Sequence, residues 1–304
     1  SGTVSDLAVV LGFTPRDGLV MELESRYGGH DTARRLASSE FVRYHTEGFP
    51  FDRDNMNIVT EEACRLVEEK RPNLLTLGAS VFLFPHPVRE LSKSAEEVGA
   101  TVSYDASHVL GLIAGGFFQD PLREGATIML GSTHKTFPGP QGGIILASEE
   151  NEIRERIIRG LHPPLVTNHH PQRMPGLAIA LLEMMAFGAD YAKQIVANAK
   201  SLGRTMHEQG LKVLCPQEDF TESHTLVIDA SSYGGGAKIA ETLERAGIVT
   251  SKISLFENKT PSYVRVGVQE VTRLGMKAAE MQQIGMMFAE ALSGEVKLEI
   301  IGEK

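Results

Sequence analysis

Several residue types that mark common classes of protein are scarce in this chain of 304 residues. It has 2 cysteines, Cys64 and Cys215, which form neither a CxxC pair nor a zinc-binding spacing, so a disulfide framework and a zinc module are excluded. The longest apolar runs have the length of a β-strand, too short for a transmembrane helix, and the first residues have no signal-peptide pattern. We therefore expect a cytoplasmic protein with no membrane partner, whose two thiols are ordinary core residues.

Positive charge is also in short supply. The chain has 30 lysines and arginines against 39 aspartates and glutamates, a net charge of -9, and no dense basic run. A general nucleic-acid binder needs clustered lysine and arginine to neutralise phosphates, so that class is excluded. A hydrophobic content of 42% over 304 residues is enough to bury the cores of two domains, which we place at residues 1–185 and 186–304.

The order of short apolar runs and helical patterns predicts an α/β fold. In the first half, strand-like runs alternate with amphipathic stretches, which is typical of a parallel sheet covered by helices. A long amphipathic stretch then leads into a second half with fewer strands. The predicted strands are residues 19–23, 74–78, 101–104, 127–130, 143–147, 212–215, 225–229 and 263–268. The predicted helices are residues 60–69, 88–98, 177–209, 237–246 and 272–292.

Asp105 and Lys135 are the most informative pair of residues in the chain. Each follows a strand-like run, and Lys135 lies between His134 and a segment rich in glycine and proline, residues 137–143, which we expect to be a loop. A lysine amine can condense with an aldehyde cofactor, and a buried aspartate can keep a pyridine nitrogen protonated. An isolated lysine is usually a solvated charge, but pyridoxal 5'-phosphate (PLP) requires both of these groups. The pair therefore predicts a PLP site, with the cofactor bound covalently to Lys135.

Two further patterns are open to more than one interpretation. Ser1, Gly2 and Thr3 precede an apolar, helix-like stretch, and hydroxyl and free N–H groups at a helix N-terminus can bind a phosphate. Simple capping of the helix explains the same three residues. His169 and His170 are adjacent, so their side chains point in different directions, and no carboxylate cluster accompanies them. We predict no metal site there.

Six segments, in the same order, resemble the serine hydroxymethyltransferase family of PLP enzymes. They are Ser1-Gly2-Thr3, Gly28-Gly29-His30, Gly78-Ala79-Ser80, Asp105-x-x-His108, Thr133-His134-Lys135-Thr136 and Val264-Arg265-Val266-Gly267. Several of them are closer to archaeal-type members and to the related threonine transaldolases. The resemblance implies an α/β protein of PLP-dependent transferase fold type I. In that fold a three-layer α/β/α large domain with a mainly parallel sheet is followed by a smaller C-terminal α+β domain.

The resemblance also implies a role for individual residues. The implied cofactor-binding residues are Ser1, Gly2 and Thr3 at the phosphate, His30 on the ring face, Ser80 at the 3'-oxygen, and Asp105, His108 and Lys135. The implied catalytic residues are Lys135, His134 and His30. Arg265 is expected to bind the substrate carboxylate, because its planar guanidinium offers two parallel charge-assisted hydrogen bonds. The expected partner is a small-molecule amino acid, and the expected assembly is a homodimer or homotetramer.

The implied activity is reversible Cα–Cβ cleavage of β-hydroxy amino acids, with tetrahydrofolate or another tetrahydropterin as co-substrate for one-carbon transfer from serine. Three departures bear on it. The chain begins at the phosphate-binding segment, without the N-terminal arm of the family, so we expect it to be a fragment. Gln141 replaces an arginine of the family, and Ile253 replaces an asparagine that contacts the pteridine. A folate-independent threonine-type aldolase or transaldolase, and an inactive or incomplete protein of this fold, therefore stay open as alternatives.

Overall fold

The computed structural model describes residues 1–30, 32–39, 43–256, 260, 262–294 and 301–302. Its contacts divide the chain into two compact units, Ser1–Ala189 and Asp190–Lys304. This division lies close to the predicted boundary at residues 185/186, and the assignment of a cofactor domain and a small domain remains a prediction. None of the helices in these ranges combines the length and the apolar character that crossing a membrane requires.

The first unit is built on a mainly parallel sheet. Its strands are β1 (Gly18–Glu22), β2 (Tyr44–Gly48), β3 (Phe51–Asp52), β4 (Asn57–Ile58), β5 (Leu74–Gly78), β6 (Thr101–Asp105), β7 (Ile128–His134) and β8 (Pro138–Ala147). Six of them form one sheet in the order β2-β1-β5-β6-β7-β8, in which only the β7–β8 pair is antiparallel. Strands β3 and β4 form a separate hairpin. The expected α/β fold with a mainly parallel sheet is confirmed.

Helices cover this sheet. They are α1 (Gly2–Phe13), α2 (Thr32–Ala37), α3 (Thr60–Lys70), α4 (Val88–Val98), α5 (Leu110–Ala114), α6 (Asn151–Leu161) and α7 (Met174–Glu208), which runs across the division between the units. Val9, Val10 and Phe13 of α1 form a buried cluster with residues of the sheet that include Leu74 and Ile128. Successive strand residues point to opposite faces, so Leu75 and Leu77 face the other layer, where α3 packs on α4 and α4 on β6.

The second unit contains an antiparallel sheet in the order β10-β11-β9, formed by β9 (Thr225–Asp229), β10 (Ser251–Ile253) and β11 (Tyr263–Gly267). Its helices are α8 (Gly236–Arg245), α9 (Gln269–Arg273) and α10 (Ala278–Ser293). Helix α8 packs against β10, β11 and α10. This arrangement matches the expected smaller α+β unit.

Three local predictions are wrong, each for a physical reason. Residues 212–215 form an isolated bridge at Val213 instead of a strand, because Cys215 adopts a left-handed conformation and Pro216 follows it. The helix predicted at 272–292 is two helices, because Gly275 has a φ of +98° and α10 begins with a new cap at Lys277. Residues 138–143 belong to strand β8, which tolerates Pro138 because β8 lies at the edge of the sheet.

Candidate functional site

Asp105 and Lys135 follow neighbouring parallel strands. Asp105 is the last residue of β6 and pairs with Leu130 of β7, and Lys135 comes directly after the end of β7. The carboxyl ends of parallel strands are where α/β sheets bind their ligands. Asp105 is buried, and its Oδ1 accepts a hydrogen bond of 2.7 Å from the N–H of Ser107. Both residues predicted from the sequence therefore lie at the carboxyl ends of the parallel strands, on the same side of the sheet where ligands bind.

The Lys135 amine contacts His108. The distance between Lys135 Nζ and His108 Nε2 is 3.1 Å. The segments that carry them are joined by Thr136, whose hydroxyl donates to the carbonyl oxygen of His108 at 2.9 Å and accepts from the N–H of Gly111 at 3.1 Å. A side chain at Gly111 has no space, because a Cβ atom there would lie 2.2 Å from the Thr136 carbonyl oxygen.

His134 lies beside this pair as an uncharged ring. Its Nδ1 accepts a hydrogen bond of 3.4 Å from the N–H of Gly142. Burial lowers the pKa of His134, and the positive charge of Lys135 lowers it further. At neutral pH the imidazole is therefore uncharged, and because its Nδ1 accepts from Gly142, its Nε2–H is left to donate a hydrogen bond.

Gly2 approaches two buried serines, Ser107 and Ser132, for which the sequence predicts no role. The N–H of Gly2 donates to Ser132 Oγ at 3.2 Å, and the N–H of Ser132 donates to Ser107 Oγ at 3.0 Å. A Cβ atom at Gly2 would lie 2.2 Å from Ser107 Oγ and 2.6 Å from Ser132 Oγ. Only glycine permits this approach, which brings the start of α1 against the segments carrying Asp105 and Lys135. In the sequence, their role in the site is indicated only by their closeness to Asp105 and Lys135.

A second group of predicted residues lines one cavity. Thr3, His30 and Ser80 border a cavity of about 670 Å³. His30 Nδ1 is hydrogen-bonded to the hydroxyl of Thr32, and the N–H of Ser80 donates to the carbonyl oxygen of Gly28 at 2.7 Å. The structure therefore brings together the three segments that were expected to contact a phosphate, a ring face and a ring oxygen.

Gly78 connects this cavity to Asp105. It pairs with Asp105 in the β5–β6 register, has a φ of +117°, and a Cβ atom there would lie 2.3 Å from the Asp105 carbonyl oxygen. The N–H of Gly78 donates to Nδ1 of the buried His86 at 3.2 Å. Burial lowers the pKa of His86 to about 3, so this ring is an uncharged acceptor. His86 therefore anchors the turn that leads from β5 to Ser80.

Two of the departures from the family, Gln141 and Ile253, and the predicted carboxylate-binding Arg265 have different local settings. The carbonyl oxygen of Gln141 accepts a hydrogen bond of 3.0 Å from Arg173 Nη1, so an arginine lies at this segment although residue 141 is not one. Ile253 is the last residue of β10 and pairs with Tyr263. Arg265 lies on the central strand of the second unit, between Ser251 and Val227, and burial lowers its pKa. The role of Arg265 in binding a substrate remains a prediction.

The residues of the first unit fit PLP. The site offers an amine at Lys135, a buried carboxyl at Asp105, and the N-terminus of helix α1 at Gly2 and Thr3, a position that favours a phosphate. The imidazole of His30 borders a cavity of about 670 Å³ in the same unit. The individual roles of these residues remain predictions.

Comparisons with known proteins agree over nearly the whole length of the chain. A family model described as serine hydroxymethyltransferase matches residues 1–288. The serine hydroxymethyltransferase of Pyrobaculum aerophilum is 42% identical over an alignment of 308 positions that covers 99% of this chain and 72% of that protein. The serine hydroxymethyltransferase of Methanothermobacter thermautotrophicus is 46% identical over 289 residues, which cover 93% of this chain and 68% of that protein.

A solved structure is similar as well. It is the crystal structure of L-threonine transaldolase from Pseudomonas fluorescens in its internal aldimine state, with a TM-score of 0.93 and 29% sequence identity. The match covers 99% of this chain and 69% of that one. The similarity therefore extends well beyond the six motif segments.

Proposed function

The chain belongs to the serine hydroxymethyltransferase family, and from this we propose that it is a PLP-dependent enzyme that cleaves and forms the Cα–Cβ bond of β-hydroxy amino acids. Its principal reaction is the conversion of serine to glycine, with the one-carbon group passed to tetrahydrofolate or another tetrahydropterin. The observation that carries the proposal is the placement of Asp105 and Lys135 at the ends of neighbouring parallel strands.

The residues of the first unit bind and orient the cofactor. When bound, PLP supplies an electron sink for the charge that develops at the substrate Cα. Asp105 favours a proton on the pyridine nitrogen, because an opposite charge at contact distance stabilises the cation. Ser1, Gly2 and Thr3 bind the phosphate at the N-terminus of α1, where the helix dipole and the hydroxyls of Ser1 and Thr3 favour an anion. His30 packs on the ring face and Ser80 donates a hydrogen bond to the 3'-oxygen.

Three cationic or polar side chains act on the amino acid and on the lysine. His108 orients the Lys135 amine from a distance of 3.1 Å. His134, which is uncharged at neutral pH, hydrogen-bonds the substrate hydroxyl or orients Lys135. Arg265 binds the α-carboxylate, since its guanidinium stays protonated even where burial lowers its pKa.

The test is turnover of serine to glycine by the purified protein, with and without a tetrahydropterin, beside retro-aldol cleavage of threonine. We expect serine turnover that the pterin stimulates. Cleavage of threonine that is indifferent to pterin, with serine inert, would contradict the principal proposal.

A folate-independent threonine aldolase or transaldolase is the second candidate. It is favoured by the similarity to an L-threonine transaldolase at a TM-score of 0.93 and by Ile253. A polar group of a pteridine left facing an apolar side chain loses about 1–3 kcal/mol, which is at most about two powers of ten in affinity. That loss weakens a pterin site without abolishing it, so hydroxymethyl transfer stays the principal proposal. An inactive protein is the least favoured alternative, because Lys135, Asp105 and Arg265 are all present.

We also propose a cytoplasmic homodimer or homotetramer, with a small-molecule amino acid as its partner. Light scattering coupled to size-exclusion chromatography measures the assembly, and a monomeric mass would contradict it. Fractionation of the source cells tests the location, and recovery of the protein outside the cytoplasm would contradict it.

A further inference from the structure

A buried carboxyl group that has no assigned role lies close to Asp105. Asp6 is on the face of α1 that packs against the sheet, and only 3% of it is exposed. Its side chain is hydrogen-bonded to Thr32. The second carboxyl oxygen, Oδ1, is buried and has no hydrogen-bond partner among the described residues. A buried polar atom without a hydrogen-bond partner lowers stability, so its presence in a folded protein calls for an explanation.

Acidic groups surround Asp6 on the elements packed against it. Asp105 at the end of β6 and Glu22 at the end of β1 both interact with it, and they are 6% and 3% exposed. Tyr44 of β2 interacts with Asp6 as well. Glu22 itself pairs with a cation, Arg34 of α2, at 3.3 Å. Within the described part of the chain, no group of three acidic, histidine or cysteine side chains is arranged to hold a metal ion.

Such surroundings oppose a negative charge on Asp6. Burial raises the pKa of Asp6 to about 8, with further increases from Asp105 and Glu22 and a smaller opposing effect from the Thr32 hydrogen bond. An uncharged carboxyl has both a donor and an acceptor, so it can keep the hydrogen bond to Thr32 without placing a charge beside Asp105. Thr32 in turn is hydrogen-bonded to His30, which lines the 670 Å³ cavity.

We propose that Asp6, an uncharged carboxyl beside Asp105, is a positioning residue of the cofactor site that holds Thr32 and, through Thr32, His30. The inference rests on the proposed PLP function. Helix α1 then contributes to the cofactor site at two places: its N-terminus, where the phosphate is expected, and Asp6, which holds the histidine expected on the ring face. An ionised Asp6 would instead add a negative charge beside Asp105 in the protein interior.

The protonation of Asp6 is tested on the cofactor-free protein. Urea unfolding is measured from pH 5 to pH 9 for the wild type, Asp6→Asn and Asp190→Asn, the last of which removes the same charge from an exposed helical position. In the unfolded chain Asp6 loses its proton above its ordinary pKa of 3.8, whereas in the folded wild type it keeps the proton until about pH 8. Its folded-to-unfolded ratio should therefore fall, relative to Asp6→Asn, by up to about tenfold for each pH unit until about pH 8, and then level off.

The positioning role is tested by PLP titration at pH 7, followed by absorbance. Asp6→Asn keeps an uncharged side chain of the same shape and should bind PLP within about threefold of the wild type. Asp6→Ala and Thr32→Val each remove the link and should weaken PLP binding about tenfold, as expected for one hydrogen bond. The double variant should be no weaker than either single variant, because both changes break the same connection.

The outcomes separate this inference from the proposed function. A wild type that does not bind PLP would overturn the proposed function and, with it, the positioning role, while the unfolding series would still decide the protonation of Asp6. A pH dependence of Asp6→Asn equal to that of the wild type and Asp190→Asn would overturn the uncharged carboxyl. Additive losses in the double variant would overturn the link through Thr32. If Asp6→Ala does not fold, Thr32→Val alone decides: weakened PLP binding supports the link, and unchanged binding overturns it.

Discussion

His86 should make the protein sensitive to acid. The ring is 4% exposed, its Nδ1 accepts the N–H of Gly78, and its backbone N–H and carbonyl are both hydrogen-bonded to the Gln119 side chain. Burial lowers the pKa of His86 to about 3 in the folded protein. In the unfolded chain His86 binds a proton with its ordinary pKa of 6.5, whereas in the folded protein the ring stays unprotonated until the pH approaches 3. The stability that depends on His86 is therefore complete above about pH 6.5 and is lost as the pH falls towards 3.

The size of the effect follows from the same two values. The interval between 6.5 and about 3 corresponds to a loss of at most about 5 kcal/mol, at about 1.36 kcal/mol for each pH unit. His86→Asn places an amide oxygen near the position of Nδ1, so it keeps an acceptor for Gly78 and removes the titration. Urea unfolding of the cofactor-free protein between pH 7 and pH 4 measures the difference. Below about pH 6.5 the wild type should lose stability more steeply than the variant.

The control is His45→Asn, which removes an exposed histidine from strand β2. Its unfolding free energy should follow that of the wild type at every pH. The reasoning would be refuted if His86→Asn and the wild type lost stability in parallel as the pH fell. That result would mean that His86 is protonated in the folded protein, and that it does not serve as the acceptor for Gly78.

Three further predictions concern the site. Arg265→Lys keeps the charge but loses the paired hydrogen bonds, so glycine binding to the PLP-loaded protein should weaken by about 1.5–3 kcal/mol while PLP binding survives; an unchanged glycine titration would remove Arg265 from the site. Gly2→Ala forces a methyl group to 2.2 Å from a serine oxygen, so it should cost about 1–3 kcal/mol in unfolding free energy and weaken PLP binding. The control Gly176→Ala, where the nearest atom lies at 3.6 Å, should be tolerated, and equal effects of the two changes would contradict the crowding at Gly2. Thr136→Val leaves the Gly111 N–H unpaired and should cost about 1–3 kcal/mol in unfolding free energy, and an unchanged urea midpoint would contradict that.

The main elements of the fold could be predicted from the sequence because their patterns are local. The strand at 74–78 and the helix at 88–98 were predicted with the bounds that the structure has, since apolar runs and amphipathic spacing mark them directly. Strand β2 was not predicted, because Tyr44–Gly48 has no apolar run and lies at the edge of the sheet. The helix from Met174 to Glu208 is continuous, because the internal glycines 188 and 203 do not interrupt it.

Site residues could be predicted from the sequence where the type of a single residue indicates its chemistry. Lys135 and Asp105 are identified by what an aldehyde cofactor needs, and the structure places them at one edge of the sheet. Ser107 and Ser132 have no such signature, because their importance arises only where Gly2 comes within contact of both. Asp6 escaped notice for the same reason: a single aspartate in a helix is ordinary until the fold buries it beside Glu22 and Asp105.

The most direct test of the central claim is to find where PLP attaches. The purified protein is incubated with PLP, reduced with borohydride, digested and mapped by mass spectrometry, with Lys135→Ala treated in parallel. We predict absorbance in the visible before reduction and a single labelled peptide that carries the cofactor on Lys135, with no label in the variant. A folded protein that takes up no label, or takes it up at another lysine, would contradict the account.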